Sequence, residues 1–297
     1  MSRLAFYDAE AIARTLPPGD AVDALERALR DGLDPEADAP RASVAARAGE
    51  LLLMPSAAAG ALGVKLATVA PGNPDRGLPR IQGVYALFDG ATLAPVALLD
   101  GIALTNLRTA AVSALAVRHL AAPGARRLLV FGTGPQAMAH VAALEADDVR
   151  VVGRDPDRLA AFCAQTGARP GRPEDVAGAG VVCCCTTARE PLFDGAAVGA
   201  EATVVAMGSH EPEAREVDER LAGRAFVVVE SRASALREAG DVIAAVRAGA
   251  LVPDDLVGLG ALVRGEAAPP AGAPRLFKST GMAWEDLVVA AAVHERA

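Results

Sequence analysis

Residues Leu128–His140 read LLVFGTGPQAMAH, and the fold is decided there. Four apolar residues in a row read as a buried strand. Pro135 then opens a helix at the one position where a missing backbone N–H costs nothing. Between strand and helix, Gly132, Gly134 and Ala137 stand in G-x-G-x-x-A spacing. The first glycine allows a tight turn, the second lets the backbone approach a diphosphate, and the small Ala137 lets helix and strand pack closely. The N–H groups opening the helix, with its dipole, attract an anion. Gly132, Gly134, Pro135, Gln136 and Ala137 therefore read as a dinucleotide-binding turn, with an ordinary glycine turn as the competing reading.

Toward the C-terminus the pattern continues as strand then helix: VRVVGR, DPDRLAAFCAQTG, AGVVCCCTT, TVVAMGS, AFVVVES and ALREAGDVIAAVRAG. Buried apolar strands alternating with helices imply a doubly wound parallel sheet of Rossmann type, assigned to residues 124–276. The second strand should end at the adenosine ribose, where an acid would take the two hydroxyls of NAD. Here Gly153 is followed by Arg154, which suits a 2′-phosphate and favours NADP over NAD. The bland alternative is that Arg154 is a solvated loop charge and Asp155 caps the helix begun by Pro156. Thr186 and Thr187 close the CCCTT strand, and Met207 and Gly208 close TVVAMGS. Strand ends of this kind face the ligand, so these four join the cofactor set.

Toward the N-terminus, ELLLMPS, GVKLATVA, IQGVYALFDG and PVALLDG are short strands punctuated by turns, which imply a mostly antiparallel sheet. An Ala-rich helix is expected from about Thr105 to Ala122, and AAPGARR marks a boundary. The segment after residue 276 reads as a strand end, a glycine turn and a terminal amphipathic helix. The expected division is an α+β domain of residues 1–123 and 277–297 around the inserted parallel-sheet domain, giving an α/β protein overall.

The 297 residues suit two domains. A net charge of −8 speaks against nucleic acid as a partner. The composition is 52% hydrophobic, but charges and glycines break each long apolar stretch before the ~18 residues a membrane span needs. Asp8 and Glu10 interrupt the N-terminal run where an export signal needs an apolar core, so a cytoplasmic protein is expected. Cys183, Cys184 and Cys185 lack metal-site spacing, so they read as small core residues and no metal is expected.

Three cations stand in apolar surroundings: Lys65 in LGVKLATVA, Arg108 in LTNLRTAAVSALAV and Arg41 in APRASVAARAGELLLMP. Arg108 is placed in the first turn of its helix, where a cation opposes the dipole unless both hold one bound anion. A small carboxylate is the natural candidate, and surface salt bridges are the competing reading.

The segments LLLMP, GVKLATVAPGN, LLDGIALTNLRTAAVSALA, FGTGPQA, EPLF, AMGSHEPEAREVD, ALREAGDV and FKSTGMAWED occur in the order found in the ornithine cyclodeaminase and mu-crystallin family, which the chain resembles over nearly its whole length. The resemblance implies that Arg41, Lys65 and Arg108 hold a substrate carboxylate, that Glu238 lies near the ligand, and that the first domain forms a homodimer. It also implies NAD(H) or NADP(H) as cofactor and amino acids or their cyclic imines as substrates. Two departures matter. His210 stands where the cyclising deaminase has an Asp, and Leu52 where it has a Glu. Reduction of a small carboxylate-bearing imine is therefore expected, with Lys65 as proton donor and His210 as a proton shuttle. A cyclodeaminase-type lyase using bound NAD and a non-catalytic binding protein are the alternatives.

Overall fold

Alternation along residues 61–69 sorts the first sheet into two faces. In the computed structural model, which describes residues 4–58 and 60–297, Gly63, Lys65 and Ala67 are buried while Leu62, Val64 and Leu66 are half-buried. The sheet has six strands: β1 (Ala5–Tyr7), β2 (Ala42–Ala46), β3 (Gly49–Ala58), β4 (Ala61–Val69), β5 (Ile81–Asp89) and β6 (Pro95–Asp100). Their order is β1-β6-β5-β4-β3-β2, antiparallel throughout except that β1 runs parallel to β6. The C-terminal helix, Ala283–Arg296, packs on β3, β4 and β5. Lys65 lies directly across from Tyr85 in the β4–β5 ladder. Gly63 has to be glycine, since a Cβ there would stand 2.1 Å from the Tyr85 hydroxyl. Two further helices, α1 (Ala9–Thr15) and α2 (Pro18–Arg30), complete this N-terminal part, and α2 also contacts the C-terminal helix.

Helix α3 runs from Gly101 to Leu120, earlier than expected, because Asp100 caps it by accepting from the N–H groups of Ile102 and Ala103, both at 2.9 Å. Arg108 therefore sits in its interior rather than its first turn, and the expectation that the helix N-terminus shares its anion does not hold.

The second sheet has eight strands: β7 (Arg127–Phe131), β8 (Asp148–Val152), β9 (Arg169–Pro170), β10 (Val181–Cys184), β11 (Thr203–Ala206), β12 (Phe226–Val229), β13 (Val257–Gly258) and β14 (Arg275–Lys278). All pairings are parallel, in the order β13-β12-β14-β11-β10-β7-β8-β9. The helices are α4 (Pro135–Ala143), α5 (Pro156–Thr166), α6 (Glu219–Ala222), α7 (Arg232–Glu238), α8 (Gly240–Arg247) and α9 (Leu259–Val263). Leu129, Phe131, Val182, Cys184, Val204 and Leu276 belong to its core, so Cys184 packs as a hydrophobe. Burial pushes the Cys183 and Cys184 thiols up, which keeps them protonated.

His140 is fully buried on α4, its Nδ1 2.8 Å from the Gln136 carbonyl and its Nε2 2.9 Å from the Ser113 hydroxyl. Burial lowers its pKa to about 4, so it is neutral. The carbonyl can only accept, which assigns the proton to Nδ1 and makes Ser113 the donor to Nε2.

The expected single helix in ALREAGDVIAAVRAG is two, α7 and α8, broken at Ala239. The 211–214 loop lies close beside the break, so position 240 has to be glycine: a Cβ there would stand 2.0 Å from the Ala214 carbonyl oxygen.

The chain divides into two compact units, residues up to Ala111 with Met282–Ala297, and Val112–Gly281. The sequence pattern places the boundaries at 123 and 276. The second unit extends beyond both because α3 continues past Ala111 and because β14 is an inner strand of the parallel sheet. Among the described residues, no helix is long and apolar enough to cross a membrane.

Candidate functional site

In the first unit, alternation along β4 turns Lys65 inward, and the α3 periodicity does the same for Arg108; they are 3% and 5% exposed. Two adjacent acids on the C-terminal helix, Glu285 and Asp286, meet them and are fully buried. Lys65 Nζ donates to Asp286 Oδ2 at 2.8 Å and to the Thr105 hydroxyl at 3.3 Å. Arg108 Nη1 donates to Glu285 Oε2 at 2.7 Å, and its Nε lies 3.3 Å from Asp286 Oδ1. Asp286 thus joins both cations. Two positive and two negative charges balance, which is how four buried ions are tolerated. Burial pulls the Lys65 pKa down to about 8, and Arg108 adds to the fall, while Asp286 and Glu285 hold it up. An ammonium that titrates near neutral pH suits proton transfer. Arg41 is half-buried immediately before β2.

In the second unit, Gly132 turns the chain after β7 with a φ of +113°, a conformation that favours glycine. A Cβ there would be 2.5 Å from the Cys185 carbonyl oxygen. At Gly134 a Cβ would meet nothing within 4 Å, so the turn is open on that side. Gly134 is the N-cap of α4 and no side chain caps the helix. The positive end of the α4 dipole lies at this open turn, which fits a diphosphate. Ala137 is fully buried between α4 and the strand. Past β8, Gly153 accommodates Thr133, whose methyl would be 2.8 Å from a Cβ at 153, and Arg154 is exposed. Asp155 does cap α5, accepting from the N–H groups of Asp157 and Arg158 at 3.0 and 3.1 Å.

The loops after β10 and β11 carry Thr186, Thr187, Met207 and Gly208, and they are tied together. Glu216 Oε1 accepts from Thr186 N–H and its hydroxyl at 2.8 and 2.7 Å, and Oε2 accepts from Gly208 N–H at 2.7 Å. His210 is exposed on the loop after β11. Glu238 ends α7, where Arg237 donates to its Oε1 at 2.8 and 2.6 Å. Among the described residues, no group of His, Cys, Asp or Glu has metal-site geometry.

Sequence reasoning missed Glu285, Asp286, Glu216, Asp241 and Lys278. A signal was present for three of them: Glu285 and Asp286 lead directly into the apolar run LVVAAAV, and Lys278 ends the short strand RLFK.

The model of the ornithine cyclodeaminase/mu-crystallin family matches residues 6–297. A Delta(1)-pyrroline-2-carboxylate/Delta(1)-piperideine-2-carboxylate reductase of Azospirillum brasilense is 36% identical over 299 aligned positions, covering 97% of this chain and 94% of that protein. The ketimine reductase mu-crystallin of Rattus norvegicus is 36% identical, covering 85% and 82%. The structure of the Thermococcus litoralis Delta(1)-pyrroline-2-carboxylate reductase, in complex with NADH and L-proline, superposes with a TM-score of 0.90 at 26% identity, covering 99% and 97%. These relatives are oxidoreductases, and the chain, with its dinucleotide turn and buried ion cluster, belongs to the ornithine cyclodeaminase/mu-crystallin family.

Proposed function

We propose that this chain is an NAD(P)H-dependent reductase of a small cyclic imine bearing a carboxylate, of the pyrroline-2-carboxylate class, or acts in reverse on the corresponding amino acid. The observation that carries this reading is Lys65, buried against Asp286 beside Arg108 and titrating at about 8. When bound, the dihydronicotinamide supplies a hydride to the C=N carbon. The chain's residues prepare the acceptor. Lys65 gives a proton to the imine nitrogen, so that the electron pair displaced from the double bond ends on a neutral amine. Arg108 and Arg41 hold the substrate carboxylate by charge-assisted hydrogen bonds. Because Glu285 and Asp286 already balance Lys65 and Arg108, the incoming anion shares those cations, and Arg41 supplies a further guanidinium. His210, exposed after β11, exchanges a proton with solvent, and Glu238 helps set the ligand's position.

The cofactor is held by the turn Gly132–Ala137 and by the ends of β10 and β11. Arg154, exposed just past β8, would supply a guanidinium to a 2′-phosphate, which favours NADP. The half-buried apolar face of the first sheet, with Val64, Leu66, Val84 and Ala86, suits a second copy of the chain.

The test is to follow NADPH and NADH absorbance with pyrroline-2-carboxylate and piperideine-2-carboxylate, and ammonia release from ornithine. Cofactor oxidation with an imine is the expected result. Ammonia without net cofactor change would make the chain a cyclising lyase. Cofactor binding with neither reaction would make it a binding protein.

A further inference from the structure

Glu216 is fully buried between two loops that leave neighbouring parallel strands. One follows β10 and carries Thr186, and the other follows β11 and carries Gly208. One carboxylate oxygen serves each loop, with three donors accepted in all. An ionised carboxylate can accept all three, whereas an amide in its place must turn an NH₂ toward one N–H donor. The two loops touch as well, since a Cβ on Gly208 would stand 1.9 Å from the Thr186 carbonyl oxygen.

The carboxylate is itself fixed. The N–H groups of Glu216 and Val217 donate to Asp241 Oδ1 at 2.6 and 2.9 Å. Asp241 Oδ2 lies 2.8 Å from Lys278 Nζ, which donates to the Ser209 carbonyl at 2.7 Å. Ser209 follows Gly208, so the contacts close a ring of almost wholly buried groups. Burial pushes the Glu216 pKa up to about 7, so keeping a carboxylate here costs stability that packing alone does not explain.

The place of this ring in the sheet gives it a role. β7 bears the diphosphate turn, β8 lies on its adenosine side, and β10 and β11 lie on the other. The loop after β10 also underlies Gly132 itself. We propose that Glu216 is a positioning residue that locks the loops after β10 and β11 into one surface for the nicotinamide half of the cofactor. This rests on the reading of the second unit as a dinucleotide site.

The test compares ligands with and without nicotinamide on the full chain. Binding of NADH, NADPH and ADP-ribose is measured by calorimetry for the wild type and Glu216→Gln, alongside thermal melting. The variant is expected to bind NADH and NADPH at least tenfold more weakly and ADP-ribose within twofold of wild type. Equal weakening of all three would mean a general structural role and overturn the proposal, as would no change in any. Should Glu216→Gln fail to fold, Glu216→Asp carries the same comparison, because it keeps the charge but is one methylene too short to reach both loops. A wild-type chain that bound neither NADH nor ADP-ribose would strike the cofactor reading and remove this proposal with it.

Discussion

Each unit buries a cluster of charges, and the two clusters are built differently. In the first, Lys65, Arg108, Glu285 and Asp286 pair side chain to side chain, two cations against two anions. In the second, Glu216 and Asp241 share one cation, Lys278, and make up the deficit with backbone N–H groups. A carboxylate held by backbone amides fixes loops. A cluster of side-chain charges around a lysine of lowered pKa can move a proton and share its cations with an incoming anion. On the proposed reading, the first cluster serves chemistry and the second serves positioning.

Lys65 gives the sharpest way to break that division. Lys65→Met is expected to cut turnover of pyrroline-2-carboxylate by about 10²–10⁴-fold. Its NADPH affinity, read by calorimetry, should stay within twofold. A variant that kept its turnover would remove proton transfer from the first cluster. Arg108→Ala should lower kcat/KM by about 10- to 100-fold through loss of charge-assisted hydrogen bonds, again with cofactor binding intact. It should also destabilise the fold by roughly 3–5 kcal/mol, since Glu285 loses a buried partner. Steady-state kinetics and denaturant melts read the two effects separately.

A smaller effect is expected at Arg154. Replacement by Ser should weaken NADPH by about tenfold, leaving NADH nearly unchanged, because only the 2′-phosphate loses a partner. Equal affinity for both cofactors in the wild type would contradict the reading of that residue.

The smallest effect concerns pH. Reduction should slow as pH rises through about 8, where Lys65 loses its proton. Asp286 holds that pKa up, so Asp286→Asn should move the limb toward neutral pH by about one unit. A limb that moved the other way, or not at all, would show that Lys65 does not set it.

Much of this was legible from residue order. LLVFGTGPQA reads as strand, turn and helix because the apolar run stops at glycines, which permit a turn, and Pro135 suits the first position of a helix. The alternation around Lys65 was legible too, but alternation alone does not say which face of a sheet is covered. The C-terminal helix decides that, and its approach is a long-range event. The same holds for the ion pairs: Lys65 and Asp286 are 221 positions apart, and no local pattern couples them. The start of α3 was misplaced because Asp100 both ends β6 and caps α3, so no loop separates strand from helix. The break at Ala239 falls beside Gly240, where the 211–214 loop packs too closely for a side chain, a contact that no local pattern shows.

The most direct test of the central claim is isotopic. NADPH carrying deuterium at the transferable C4 position is incubated with pyrroline-2-carboxylate and the chain, and the proline formed is examined by mass spectrometry and NMR. One deuterium on the α-carbon of each proline is expected. Unlabelled proline, or no proline from a chain that binds NADPH, would contradict hydride transfer to the imine.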